Sequence, residues 1–260
     1  MAPQPTISML LPARGRPANL KASVESVFRL ATEPDRVELL VRLDDCDPHL
    51  EAELDILETC KSPEHGAIRV FRGPRLGYAQ MHQMYNVLAR IGRGDWLFLW
   101  NDDIEMVTKG WDVLVREAPV YSIQFARRDI TATTDYTLPI VGRPVFNALE
   151  FHLSMNAYVD AWLVDVAASA GVAVARDDIV FTHHRLNDQT LNEQNDGGRA
   201  WGEFNAEAMT ALRRADLEKV IASSHYQDRF SRWQGEFRPV TLDYVKLASP
   251  AQAFVLAGRR

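Results

Sequence analysis

The chain has 260 residues, 47% hydrophobic and 25% charged, with 14 glycines and 13 prolines, which allows one large core or two small ones. Its formal net charge of −6 argues against indiscriminate binding to nucleic acid or anionic membranes. Cys46 and Cys60 form no CxxC pair, no apolar run approaches the ~20 residues of a membrane span, and no leader pattern opens the chain, so a soluble protein of the reducing cytoplasm, without a zinc site or disulfide framework, is expected.

Ile7 to Leu11 is the first strand-like run, and Pro12 is expected to stop it. Pro17 then opens a helix over Ala18 to Leu30, with Leu20, Val24, Val27 and Phe28 on one side. Val37 to Leu43 is the second strand and ends in Asp44, Asp45 and Asp47. A polar helix follows from His49 to Thr59, with Leu50, Leu54 and Leu57 at helical spacing. Ile68 to Phe71 is a short third strand. Beyond Gly77, the residues Met81, Met84, Tyr85 and Leu88 mark an amphipathic helix to Ile91, and Gly92 to Gly94 turn the chain into a fourth strand.

That fourth strand, Trp96 to Trp100, is continuously apolar, the pattern of a strand buried on both faces. It ends abruptly in Asn101, Asp102 and Asp103, with Glu105 just beyond. An unpaired carboxylate at the end of a buried strand is costly unless something neutralises it. In open α/β sheets ligands bind at the C-terminal strand edge, and a hard divalent cation holding a substrate phosphate would give these acids a purpose. A polar turn after a core strand is the plainer reading. The alternation of strands and helices predicts a mostly parallel sheet with helices on both faces. Both acidic strand ends then share one edge, and therefore one site. Asp47 could equally cap the helix that begins near Pro48.

After residue 105 the pattern loosens. Trp111 to Arg116 reads as a short helix, and 121 to 150 as strands separated by polar loops. Asp160 to Ala170 is a helix closed by Gly171, with Asp165 on its surface. Val172 to Val174 and Ile179 to Phe181 read as separate strands leading to His183 and His184. Residues 186 to 203 have the composition of a mobile loop, Ala206 to Ser223 that of a helix, and the tail beyond 225 is aromatic and basic. Trp96, Trp100 and Trp111 are expected in the core or a pocket wall. Without repeats or a clear linker, a single domain over 1 to 260 is expected.

Taken in order, several of these segments resemble the GT-A-fold glycosyltransferases, in particular the inverting, family-2-type enzymes that use nucleotide-sugars. Ile7-Ser-Met-Leu-Leu-Pro-Ala-Arg-Gly-Arg-Pro is similar to that family's opening strand and loop, and Val37 to Asp47 to its second strand. Gly94-Asp-Trp-Leu-Phe-Leu-Trp-Asn-Asp-Asp looks like its glycine-aspartate, apolar strand and DxD-like motif. Asp160, a helix, Gly171, a strand and His183 resemble the stretch from its catalytic acid to a late histidine. The resemblance spans about residues 5 to 185.

It implies a GT-A-type three-layer α/β/α fold with a mostly parallel central sheet and an elaborated C-terminal portion. Residues 1–105 would be the nucleotide-binding half, 106–224 the acceptor and catalytic half, and 225–260 an extension. The implied reaction moves a sugar from a nucleotide-sugar, a UDP-sugar foremost, to an acceptor hydroxyl with inversion. Asp103 would coordinate a divalent cation, Mn²⁺ or Mg²⁺, that bridges the diphosphate, with Asn101 and Asp102 nearby. His183 would complete the metal shell, with His184 as the alternative. Asp44 or Asp45 would bind base or ribose, joined by Asp102, and Arg14 or Arg16 base or phosphate. Asp160 would be the general base. The chain departs from the pattern at Asn101, where the family has its first motif acid, at Val159, where it usually has an acid, and in the late placing of Asn86.

A nucleotidyltransferase would need a glycine-rich loop with a trailing Arg and Lys, which Pro12-Ala-Arg-Gly-Arg-Pro does not supply. A catalytically inactive nucleotide- or glycan-binding protein on the same fold is the main alternative, suggested by Asn101 and Val159. For the acceptor, a glycan or small molecule stands ahead of DNA bearing hydroxylated bases. The latter would require Arg127, Arg128, Arg143, Arg185, Arg199, Arg213 and Arg214 to gather into a basic groove.

Overall fold

The computed structural model describes residues 6–129, 136–184, 199–229, 237–240 and 253–256. Strands β1 (Ile7–Ala13), β2 (Val37–Asp44), β3 (Ile68–Gly73) and β4 (Trp96–Leu99) lie parallel in the order β3-β2-β1-β4. Helices α1 (Pro17–Leu30), α2 (Leu50–Thr59) and α3 (Met81–Ile91) connect them.

Side-chain alternation along these strands sorts the interior into two layers. Met9, Leu11, Leu39, Val41, Phe98 and Trp100 pack with α1, α2 and α4 (Trp111–Glu117) on one face. Leu10, Leu40, Leu97 and Leu99 pack with α3, α5 (Arg143–Ala148), α6 (Val159–Ala170) and α7 (Glu207–Ala222) on the other. The three-layer α/β/α expectation holds. Gly94 is required where α3 gives way to β4, because a Cβ there would lie 2.6 Å from the Ser8 backbone nitrogen.

Pro12 does not stop β1, which continues to Ala13 in register with β2. Leu10 accepts the Trp100 N–H through its carbonyl. By alternation, the nitrogen at position 12 faces that same side, where β4 has already ended. Proline therefore costs the pairing with β2 nothing, and on the β4 side the Trp100 carbonyl, which an N–H at position 12 would have met, accepts from the Tyr85 hydroxyl at 3.1 Å instead.

Beyond β4 the sheet becomes mixed. β7 (Tyr136–Gly142) runs antiparallel to β4 and to β6 (Ile123–Arg128), which is parallel to β8 (Ala173–His183). The tail contributes β10 (Ala253–Leu256), parallel to β8, and β9 (Phe237–Val240), antiparallel to β10. Short β5 (Ile104–Met106) pairs antiparallel with the end of β8 and completes the ten-stranded sheet.

Three local expectations are corrected here. The two strands sought over 172–181 are one: β8 runs through Arg176-Asp177-Asp178 as an irregularity in its register with β6. Arg176 is buried there, paired with Asp178 at 2.8 and 2.9 Å and donating to Gln124 and to the Leu114 carbonyl. Asp165 is not on the surface of α6. It is fully buried and pairs at 2.8 Å with Arg213 of α7, whose guanidinium also lies over the Phe204 ring. Of the stretch read as a loop over 186–203, residues 199 to 203 are helical, and 186 to 198 lie outside the described residues. Among the described residues no helix is long and apolar enough to cross a membrane.

Candidate active site

The parallel register sets the C-terminal ends of β2, β1 and β4 side by side, and each end delivers charged residues to one edge. Arg14, just past β1, donates from Nη1 to Asp44 Oδ2 at 2.9 Å and from its backbone nitrogen to Asp102 Oδ2 at 3.3 Å. Asp44 is buried and also pairs with Arg42 at 3.2 Å. Arg16 lies across the β4 acids: Nε reaches Asp102 Oδ2 at 3.3 Å, Nη2 donates to Asp102 Oδ1, and Nη1 reaches Asp103 Oδ2 at 2.9 Å. The predicted convergence of two acidic strand ends is thus real. The acids meet through the two arginines of the β1–α1 loop.

β5 pairing with β8 brings the late histidine to the same place, opposite Ile104. His183 Nε2 lies 3.3 Å from Asp103 Oδ2. His184 points elsewhere, to Glu105 at 2.9 Å. A cleft of about 330 Å³, lined by Asp103, Glu105, His184, Asn19 and neighbouring α1 residues, opens beside Asp103.

Electrostatics separates the two adjacent acids. Burial pushes Asp102 up to about 6, with the Arg16 charge opposing it. For Asp103 burial also pushes upward, but the His183 hydrogen bond and the Arg16 charge outweigh it and hold the carboxyl below the usual range. Arg16 is the mirror case: burial works against its charge, and Asp102 and Asp103 more than restore it.

Asn101 and Asp45 stand apart from this cluster. Asn101 gives its side-chain oxygen to the Tyr85 hydroxyl, and its carbonyl accepts from Ser23 at 3.1 Å. Asp45 is exposed and pairs at 3.4 Å with Arg72. Asp47 does not cap α2, whose N-cap is His49 with no side-chain cap bond; its Oδ1 accepts the His49 N–H at 2.8 Å in the turn ahead of the helix.

Asp160 sits half-buried in the first turn of α6. The Tyr85 hydroxyl links it electrostatically to the β4 acids. Burial raises that phenol well above its ordinary value, and Asp102, Asp103 and Asp160 all add to the shift. Tyr158, which meets Tyr78 edge-on at 6.3 Å between ring centres, is also raised by burial and, in part, by Asp160.

Two residues that sequence reasoning passed over support the site. Glu53 of α2 is fully buried and accepts the Arg16 backbone N–H at 3.2 Å, fixing the loop that carries both arginines. Burial first, and Asp47 second, push its carboxyl to about 7. Its signal was present: Glu53 falls on the same helical face as Leu50 and Leu57, both buried. Tyr85 is the second; its partner lies on another strand and left no trace in α3's own pattern.

Asp103 Oδ1 is buried without a hydrogen-bond partner, and among the described residues no group of three or more His, Cys, Asp or Glu is arranged to hold a metal. This donor set fits a cation that takes only one or two protein ligands and fills its shell from phosphate and water, as Mg²⁺ commonly does.

Of the arginines proposed for a basic groove, two are committed to internal contacts. Arg213 of α7 is buried against Asp165 of α6, and Arg143 donates to the carbonyls of Ala89, Gly92 and Gly94. Arg199 pairs with Glu203 on an exposed helix, and Arg185 lies outside the described residues.

No protein-family model and no curated protein sequence matches this chain. Solved structures do match in shape. The mannosyltransferase PcManGT from Pyrobaculum calidifontis, in complex with GDP-Man and Mn²⁺, superposes with a TM-score of 0.60 at 12% identity, over 88% of this chain and 74% of that one. S. aureus TarS 1–349 gives 0.53 at 11%, over 97% and 99%. Its complex with UDP-GlcNAc gives 0.52 at 9%, over 88% and 76%. The fold is that of the GT-A-like glycosyltransferases.

Proposed function

We propose that this protein transfers a sugar from a nucleotide-sugar to an acceptor hydroxyl, with inversion at the anomeric carbon. The observation that carries the reading is the meeting of Asp44, Asp102 and Asp103 at one sheet edge through Arg14 and Arg16. Support for the donor class comes from structures of this shape that hold GDP-Man, UDP and UDP-GlcNAc. A UDP-sugar is the donor tested first.

In this mechanism Asp44 takes the ribose or base, and Arg14 and Arg16 take the diphosphate through their fork-shaped donors. Asp102 anchors Arg16. Asp103 and His183 would hold a divalent cation, Mn²⁺ or Mg²⁺, which would offset the negative charge of the departing diphosphate. Asn101, engaged by Tyr85, and Asp45, turned outward, receive no ligand role. Asp160 accepts the proton of the acceptor hydroxyl as its oxygen bonds to the anomeric carbon, and the bond from that carbon to the diphosphate oxygen breaks on the opposite face. The acceptor is a glycan or a small hydroxylated molecule, since Arg143 and Arg213 are committed to internal contacts. A cytoplasmic setting suits Cys46 and Cys60, which are both free thiols.

A second reading, a nucleotide-binding protein without turnover, is favoured by one observation: Arg16 already covers both β4 acids. Incubation with UDP-, GDP- and dTDP-sugars and Mn²⁺ or Mg²⁺ separates the two. Release of nucleoside diphosphate from one donor supports transfer; calorimetric binding without release supports the second reading; neither binding nor release rejects both.

A further inference from the structure

Arg16 occupies the place where a cation and a diphosphate would both need it to give way. Its Nε and Nη2 lie on Asp102, and its Nη1 lies on the Asp103 oxygen that His183 also approaches. The two carboxylates are almost sealed from solvent, with side-chain exposures of 1% and 11%, whereas Arg16 retains 28%. Arg16 is thus the most solvent-accessible of the three. The loop beneath it has a defined pivot: Gly15 is in the left-handed region at φ +72°, with open space where a Cβ would be, while the Arg16 backbone is tied to Glu53.

These contacts make the separate arrivals of cation and donor unfavourable. A cation held between Asp103 Oδ2 and His183 would remove the Nη1 hydrogen bond and leave part of a guanidinium charge unpaired. A diphosphate arriving alone meets a guanidinium whose charge is already offset by two carboxylates. If both arrive, the cation replaces Arg16 at Asp103 while the diphosphate replaces Asp103 at Arg16, so no charge is left alone.

Resting on the nucleotide-sugar reading above, we propose that Arg16 exchanges Asp103 for the donor diphosphate, so that divalent cation and nucleotide bind as a coupled pair. Because such coupling is reciprocal, each ligand raises the affinity of the other by the same factor.

The test uses the full chain with Mn²⁺, UDP and GDP as probes. Mn²⁺ binding is read from the electron paramagnetic resonance signal of the free ion, and nucleotide binding by calorimetry, each alone and together. For wild type, Mn²⁺ is expected to raise the affinity of the preferred nucleotide by about 10- to 100-fold. Arg16→Ala should bind Mn²⁺ alone several-fold more tightly than wild type and reduce the mutual enhancement to a few-fold or less. Arg16→Lys, which keeps the charge without the fork, should fall between them and guards against misfolding of the alanine variant. Unchanged or weaker binding of Mn²⁺ alone by both variants, with coupling intact, overturns the exchange. Failure of either nucleotide to bind wild type, with or without Mn²⁺, rejects instead the nucleotide-sugar reading beneath it.

Discussion

The Tyr85 hydroxyl donates to the side-chain oxygen of Asn101, and the same hydroxyl lies 3.1 Å from the Trp100 carbonyl oxygen. It thereby serves acceptors at the end of β4, where Pro12 has no N–H to offer from the neighbouring strand. Tyr85→Phe should leave these buried acceptors short of a donor and destabilise the protein by about 1–3 kcal/mol. Urea denaturation measures this; a change below about 0.5 kcal/mol would show that the bond does not hold the strand end.

Asp160→Asn keeps the shape of the side chain and removes its capacity to take a proton. Under the proposed chemistry the variant loses about 10²- to 10⁴-fold in kcat, while nucleotide affinity by calorimetry stays within a few-fold of wild type. Equal loss of both would mean that Asp160 shapes the donor site instead.

Much of this organisation is legible in the sequence, for identifiable reasons. β2 and β4 are buried along their lengths, so their apolar runs stand out and the acids that follow mark the edge. What escaped detection depends on partners remote in the chain. Asp165 looks like a helix-surface acid until Arg213 of α7 closes on it, and Arg176 looks like the start of a turn until Asp178 neutralises it and Gln124 accepts from it. Pro12 reads as a stop because nothing local reveals that β4 is the shorter neighbour. Asn101 shows the limit for the site itself. Its place in the motif could be read, but the Tyr85 hydroxyl that takes its oxygen could not.

Glu53 gives a pH signature. Its carboxyl is pushed from 4.5 to about 7 in the folded chain, so folding takes up a proton between those values and stability falls as pH rises through that window. The penalty above pH 7 is about 3–4 kcal/mol. Glu53→Gln should remove that part of the slope and raise stability at pH 8, read from urea midpoints between pH 5 and 8. A slope identical to wild type would contradict the burial of a charged Glu53.

The Asp165–Arg213 pair, both residues fully buried, holds α7 to α6. Arg213→Ala removes the cation that offsets a buried carboxylate and should cost about 3–5 kcal/mol. Replacing both partners together by apolar residues of similar volume, Asp165→Leu with Arg213→Met, should cost much less. Thermal melts that rank the double variant below the single one would refute this.

The central claim is that acids from separate strand ends serve one diphosphate and its counter-ion. A crystal structure with UDP and Mn²⁺, with the ion located by its anomalous scattering, tests it most directly. The predicted map has Mn²⁺ on Asp103, the nucleoside against Asp44, and Arg16 turned from Asp103 to the phosphates. Mn²⁺ bound away from Asp103, or UDP seated in a cavity that touches none of these residues, would contradict the account.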